Sequence, residues 1–172
     1  MSKKNTIHFI ITGGTIDSHY DGTKDTAVTN KISVLPNFIK SLSLSEKIEF
    51  TEICLKDSRE LVIKDLKKIL TTIEKSPYKK IIISHGTYSM PDTSRYLKKN
   101  LKRKDQVIIF TGSMIPLVGF SPSDAPFNLG YSIAKAQDID PGTYVCMNGK
   151  VFQPEEVLKM LYDGKFISIF NK

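Results

Sequence analysis

Four short stretches of this chain carry the residue types that chemistry needs: Thr12-Gly13-Gly14-Thr15, Asp57-Ser58, His85-Gly86-Thr87-Tyr88-Ser89 and Thr111-Gly112-Ser113. Each sets hydroxyls among small residues. Paired glycines permit a sharp turn and let a ligand come close to the backbone. Thr12 and Thr15 beside them place hydroxyls and backbone N–H groups around one small volume, which suits a nucleophile or an oxyanion. His85 invites a general-base role, but a histidine directly after an apolar run reads first as a structural residue. No Ser-His-Asp spacing supports a hydrolase triad. Gly13-Gly14 lacks the later glycines and the lysine of a phosphate-binding loop, so nucleotide binding is disfavoured.

The elements that must position these residues can be read from hydrophobic patterning. Strands are expected over 6–12, 48–55, 80–84, 106–111 and 143–147, from short apolar, β-branched runs. Helices are expected over about 36–42, 60–75, 91–100, 126–137 and 154–162. Residues 13–31 and 112–124 read as long loops, the first with the character of an active-site lid. Asn148-Gly149 is a hairpin-type turn, and 166–170 is an apolar tail that could add an edge strand. Strands alternating with helices imply one doubly wound α/β domain, a Rossmann-like three-layer fold with a mostly parallel sheet. In such a sheet the carboxyl ends of the strands share an edge. All four polar stretches follow strands, so a site is expected where those ends meet.

Together these stretches resemble the L-asparaginase family of threonine-dependent amidohydrolases. The resemblance rests on Thr12-Gly13-Gly14-Thr15-Ile16, Asp57-Ser58-Arg59-Glu60-Leu61, His85-Gly86-Thr87-Tyr88-Ser89-Met90, and Thr111-Gly112-Ser113-Met114 with Ser123-Asp124-Ala125-Pro126-Phe127-Asn128-Leu129. It extends to about Lys159 and corresponds to the family's N-terminal domain, so residues 1–172 read as a single domain without the C-terminal one. The resemblance implies that Thr15 attacks a side-chain amide, ammonia leaves, and water hydrolyses the acyl-enzyme. It assigns Thr87 and Lys159 to activation of the nucleophile or the water, with a surface lysine on the last helix as the other reading of Lys159. It places Ser58 on the substrate carboxylate with Arg59 beside it. Gly14, Tyr88 and Ser113 join the substrate-binding set, and Tyr20 is the candidate lid tyrosine. The physical logic agrees: a threonine hydroxyl needs a nearby base, a lysine serves if burial lowers its pKa, and N–H groups of the glycine turn could hold the oxyanion. Neither a metal nor an organic cofactor is implied.

One position departs from the pattern in charge. Where the family has His-Gly-Thr-Asp-Thr-Met, this chain has Tyr88. The aspartate grips the α-ammonium of an amino-acid substrate, and a neutral phenol does not replace that charge-assisted bond. Three functions follow as alternatives: an asparaginase-type amidohydrolase of L-asparagine or a related small side-chain amide, weak or altered in specificity, a catalytically silent protein that binds small carboxylates, and a subunit of a tRNA-dependent transamidation complex. The last is motivated by the net charge of +7 and the segment Lys98-Lys99-Asn100-Leu101-Lys102-Arg103-Lys104. No aromatic residues interleave those lysines, and scattered lysines usually mark a solvated surface, so a nucleic-acid partner ranks last.

The bulk properties set the remaining bounds. The chain has 172 residues, 40% hydrophobic and 25% charged, which suits one globular domain. Cys54 and Cys146 lie in apolar runs and read as buried core thiols, with no metal spacing or disulfide framework. No run is long enough to span a membrane, so a soluble, cytoplasmic protein is expected. An open active edge would need a second surface to close it, which predicts a homo-oligomer, most simply a dimer.

Overall fold

The computed structural model describes residues 6–170; residues 1–5 and 171–172, including the polar start, lie outside the described residues. The chain runs through β1 (Thr6–Gly13), a hairpin of β2 (Ser18–Asp21) and β3 (Thr26–Thr29), α1 (Leu35–Ser41), β4 (Lys47–Lys56), α2 (Ile63–Lys75), β5 (Lys80–Ser84), α3 (Met90–Asn100) and β6 (Val107–Thr111). It continues through α4 (Ala125–Asp138), β7 (Gly142–Met147), β8 (Lys150–Phe152), β9 (Val157–Met160) and β10 (Lys165–Ser168). The main sheet has the order β4-β1-β5-β6-β7-β8. Every pairing in it is parallel except β7 with β8.

Period-two alternation divides the core. Ile7, Phe9 and Ile11 of β1, with Ile82 of β5, face α1 residues Leu35 and Ile39 and α4 residues Leu129 and Ile133. Ile10, Ile81 and Ile83 face the other way, onto Ile69 and Ile73 of α2 and Leu97 of α3. The result is the expected three-layer, doubly wound α/β fold. Burying one such side chain contributes roughly 2 kcal/mol, so the sheet centre is the rigid part on which the loops are mounted.

β1 is the topological switch point. It lies between β4 and β5: the chain passes from β1 to β4 on one side and then crosses to β5 on the other, so the direction of winding reverses here. A crevice at the carboxyl end of such a strand is where this architecture binds ligands. The turns after β1, β4 and β5 therefore converge by topology alone.

Several local expectations are corrected. Residues 13–31 are not a structureless loop: Thr15–Asp17 form a 3-10 turn, and β2 pairs antiparallel with β3. Asp21 shapes the hairpin turn by accepting from the Thr23 N–H at 3.0 Å and the Thr23 hydroxyl at 2.6 Å. α2 starts at Ile63 rather than near Glu60, because the Asp57 carboxylate takes the Arg59 N–H into a separate 3-10 turn and Asp65 takes the Val62 N–H. The last helix, expected over 154–162, is a turn followed by β9. Its partner is β10, which makes a two-stranded ribbon instead of a new edge of the main sheet. Asp163-Gly164, with Gly164 at φ 59°, supplies the turn that makes this hairpin. Cys146 is buried as expected, whereas Cys54 is only partly so. Among the described residues no helix is long and apolar enough to cross a membrane.

Candidate active site

A pocket of about 230 Å³ opens at the carboxyl ends of β1, β4 and β5. It is lined by Gly14 and Thr15 after β1, Asp57, Ser58 and Arg59 after β4, Gly86, Thr87 and Tyr88 after β5, and Lys159 from β9. The backbone explains the convergence. The Gly14 N–H donates to the Lys56 carbonyl at 2.9 Å, tying the first turn to the second. The Ser89 hydroxyl donates to the Ser58 carbonyl at 2.8 Å, tying the second to the third. Gly14, at φ 84°, sits against Gly86 with no room for a side chain between them.

Thr15 is half-buried, and among the described residues its hydroxyl has no hydrogen-bond partner. Lys159 Nζ donates to the Thr87 hydroxyl at 2.6 Å. Burial and the nearby Arg59 guanidinium push the Lys159 pKa below the ordinary lysine value, against a smaller opposing pull from Asp57. Lysine reaches the pocket because it lies on the inner face of a strand. It is paired in register with Phe166, which is buried, while the neighbouring Leu158 faces outward.

Arg59 folds back on Asp57. Its Nε donates at 3.0 Å and its terminal nitrogen at 2.6 Å, so the two charges neutralise each other. The bond from Arg59 holds the Asp57 carboxyl below the usual carboxylate range. The Arg59 guanidinium carbon also lies 5.9 Å from the centre of the Tyr88 ring, a cation–π distance. With Arg59 and Asp57 cancelling, protonated Lys159 leaves the pocket one positive charge in excess, which favours an anionic ligand. Among the described residues no three His, Cys, Asp or Glu side chains gather closely enough to hold a metal ion.

A family model, Asparaginase, N-terminal, matches residues 6–164. The chain belongs to the asparaginase family. An L-asparaginase from Thermococcus kodakarensis is 34% identical over 83 residues, which is 48% of this chain and 25% of that protein. The fold superposes on the probable cytoplasmic L-asparaginase from Campylobacter jejuni with a TM-score of 0.83 at 25% identity, covering 96% of this chain and 53% of that one. It superposes on the thermostable L-asparaginase from Thermococcus kodakarensis with a TM-score of 0.81 at 27% identity, covering 95% of this chain and 51% of that one. The chain thus spans about half the length of the asparaginase structures it matches.

Of the residues named from the asparaginase resemblance, Thr15, Gly14, Ser58, Arg59, Thr87, Tyr88 and Lys159 meet in this one pocket. Tyr20 does not join it. Its hydroxyl bonds to Asp25, and its ring lines a neighbouring cavity that Thr15 also borders. Ser113 is fully buried, and its hydroxyl is committed to the Ile115 carbonyl, so it shapes the loop after β6 and does not face the pocket. The Gly14 N–H, spent on Lys56, is not free to hold an oxyanion. His85 is structural: it is fully buried, and its Nδ1 lies 2.8 Å from the Gly86 carbonyl.

Two residues of the quoted motifs carry roles that the sequence did not assign. Asp57 holds Arg59, and its place directly before Ser58 was the available signal. Asp124 pins the 112–124 loop by accepting from the Met114 N–H at 2.9 Å, the Ile115 N–H at 3.0 Å and the Asn128 side chain at 3.0 Å. Its i, i+4 spacing to Asn128 at the start of α4 was visible in the sequence.

Proposed function

We propose that this chain is an asparaginase-type amidohydrolase. Thr15 is the nucleophile, and the substrate is a small amide whose acyl half carries a carboxylate but no α-ammonium. The observation that carries this reading is the Lys159–Thr87 hydrogen bond in the wall of the pocket that Thr15 also lines. A lysine whose pKa is lowered supplies more neutral amine at a given pH, and only the neutral amine accepts a proton. Thr87 relays that proton. Thr15 Oγ1 attacks the amide carbonyl while its proton passes towards Thr87 and Lys159. The C–N bond then breaks as the nitrogen takes a proton and leaves as ammonia. Water attacks the resulting ester, releases the acid and restores the Thr15 hydroxyl. The Ser58 hydroxyl, which lines the same pocket, suits the substrate carboxylate. Tyr88 offers a neutral phenol and an aromatic face, which disfavours a substrate that needs its ammonium paired.

A second reading has its own support. Among the described residues Thr15 has no hydrogen bond to the Thr87–Lys159 pair, and a catalytically silent carboxylate-binding protein would have the same pocket. Catalytic bonds often tighten only when substrate is bound, so this does not favour silence by itself. Ammonia release from L-asparagine, L-glutamine, D-asparagine and succinamic acid separates the two readings. The expected result is turnover of succinamic acid that falls by at least about three orders of magnitude in Thr15→Ala, as loss of a covalent nucleophile does. Tyr88→Asp shifts preference towards L-asparagine. Saturable succinate binding with no turnover by the native protein would establish the binding protein instead.

A further inference from the structure

Thr15 borders two cavities. The polar pocket lies on one side. On the other is an apolar cavity of about 520 Å³, walled by Tyr20 and Ala27 of the hairpin and by Met114, Ile115, Phe120 and Pro122 of the loop after β6. Small-molecule sites run from about 300 to about 1,000 Å³. The polar pocket alone falls below that range, and the apolar cavity falls within it.

The apolar walls are built features. Tyr20 and Ala27 are direct register partners, so both point from the same face of the hairpin. The Tyr20 hydroxyl is anchored on Asp25. Across the cavity, Asp124 fixes the backbone of Met114 and Ile115. The Leu117 N–H donates to the Ile16 carbonyl at 3.2 Å, which locks the loop to the turn that carries Thr15. Tyr20, Ile115 and Phe120 nonetheless remain substantially exposed. Large apolar side chains held open to solvent around one concavity mark a binding surface.

We infer that the preferred substrate is a secondary amide, with an apolar group on the amide nitrogen seated in this second cavity. The inference rests on the amidohydrolase reading and extends it. A carbonyl under attack at Thr15 has two substituents. The carboxylate-bearing acyl half belongs in the pocket with Lys159 and Ser58. The nitrogen then points across Thr15, and what lies there is Tyr20, Ile115 and Phe120. A primary amide would leave that cavity filled with water. The chemistry balances as before: the C–N bond breaks, the apolar amine leaves with a proton, the acyl group passes to Thr15 Oγ1, and water releases the carboxylic acid.

The test compares succinamic acid, N-butylsuccinamic acid and N-phenylsuccinamic acid, reading ammonia or amine release. Native protein runs beside Ala27→Asp and Phe120→Ser, two exposed wall positions outside the polar pocket. The expected result is a kcat/KM for the N-substituted amides at least about tenfold above that for succinamic acid, the discrimination that burying one or two methylenes yields. Both variants abolish that advantage and leave succinamic acid turnover unchanged, which also reports correct folding. Turnover of succinamic acid but not of the N-substituted amides overturns the inference and leaves the amidohydrolase reading standing. So does an advantage that survives both variants. A native mass by light scattering that halves in Ala27→Asp assigns the cavity to a second copy of the chain and likewise overturns it. Silence on all three amides removes the amidohydrolase reading, and this inference falls with it.

Discussion

Gly14 and Gly86 pack backbone against backbone: a Cβ on Gly14 would stand 2.5 Å from the Gly86 Cα, and one on Gly86 would stand 2.6 Å from the Ser58 Oγ. Two missing side chains therefore interlock the turns after β1, β4 and β5. That contact sets Thr15, Thr87 and Ser58 around one volume.

Gly14→Ala tests the interlock. The substitution combines a φ of 84° with a collision against backbone that has no side-chain freedom to yield. The expected cost is at least about 2–3 kcal/mol of stability, read from the urea midpoint, with amide turnover lost alongside. Gly119→Ala is the control: its φ of 85° is as strained, but among the described residues nothing lies within 4 Å of the added Cβ. It should cost only about 1 kcal/mol. Equal costs would show that backbone conformation alone, and not the Gly14–Gly86 contact, demands glycine.

The Lys159–Thr87 pair makes a prediction about pH. Burial and Arg59 lower the Lys159 pKa, and the proposed base is the neutral amine. Activity should therefore rise with pH along a limb whose midpoint lies below the ordinary lysine value, because deprotonation creates the active form. Arg59→Gln removes a neighbouring positive charge, so the ammonium becomes easier to keep and the limb should move to higher pH. Lys159→Met should remove the limb and nearly all turnover. A limb that stays in place in Arg59→Gln would separate Lys159 from the observed ionisation.

Much of this site was legible because catalytic residue types cluster at strand ends. The turns that carry Thr15, Ser58 and Thr87 each follow an apolar run whose length and β-branching announce a buried strand, and parallel pairing brings the ends together. Lys159 was found by resemblance, while its element was misread. Val157-Leu158-Lys159-Met160 is too short for periodicity to separate strand from helix. The decisive signal was Asp163-Gly164 further on, which closes a hairpin and turns Lys159 inward opposite buried Phe166. The β2–β3 hairpin was missed for a different reason. Ser18–Asp21 is mostly polar and exposed, so no hydrophobic alternation betrays it. Ser113 was over-read, since its hydroxyl is spent within its own loop and a hydroxyl's partner is set by tertiary structure.

His85 makes the third prediction, one of stability and not of rate. Its Nδ1 lies 2.8 Å from the Gly86 carbonyl, an acceptor only, which assigns the proton to Nδ1. Nε2 is then a lone pair, buried without a partner among the described residues, in a ring set edge-on to Phe110 with centroids 5.7 Å apart. Burial holds the His85 pKa down to about 4, from an ordinary 6.5. The unfolded chain therefore binds a proton at His85 between those values while the folded chain does not. Stability from this group is intact above pH 6.5 and is lost as pH falls through the window towards 4. The loss reaches roughly 2–3 kcal/mol by about pH 4.5, at 1.4 kcal/mol per unit. His85→Asn keeps a donor for the Gly86 carbonyl and cannot titrate. Urea midpoints at about pH 7.5 and about pH 4.5 should show the native protein losing that much more stability than the variant on acidification. Native and variant stabilities that fall in parallel would place the acid sensitivity elsewhere in the fold.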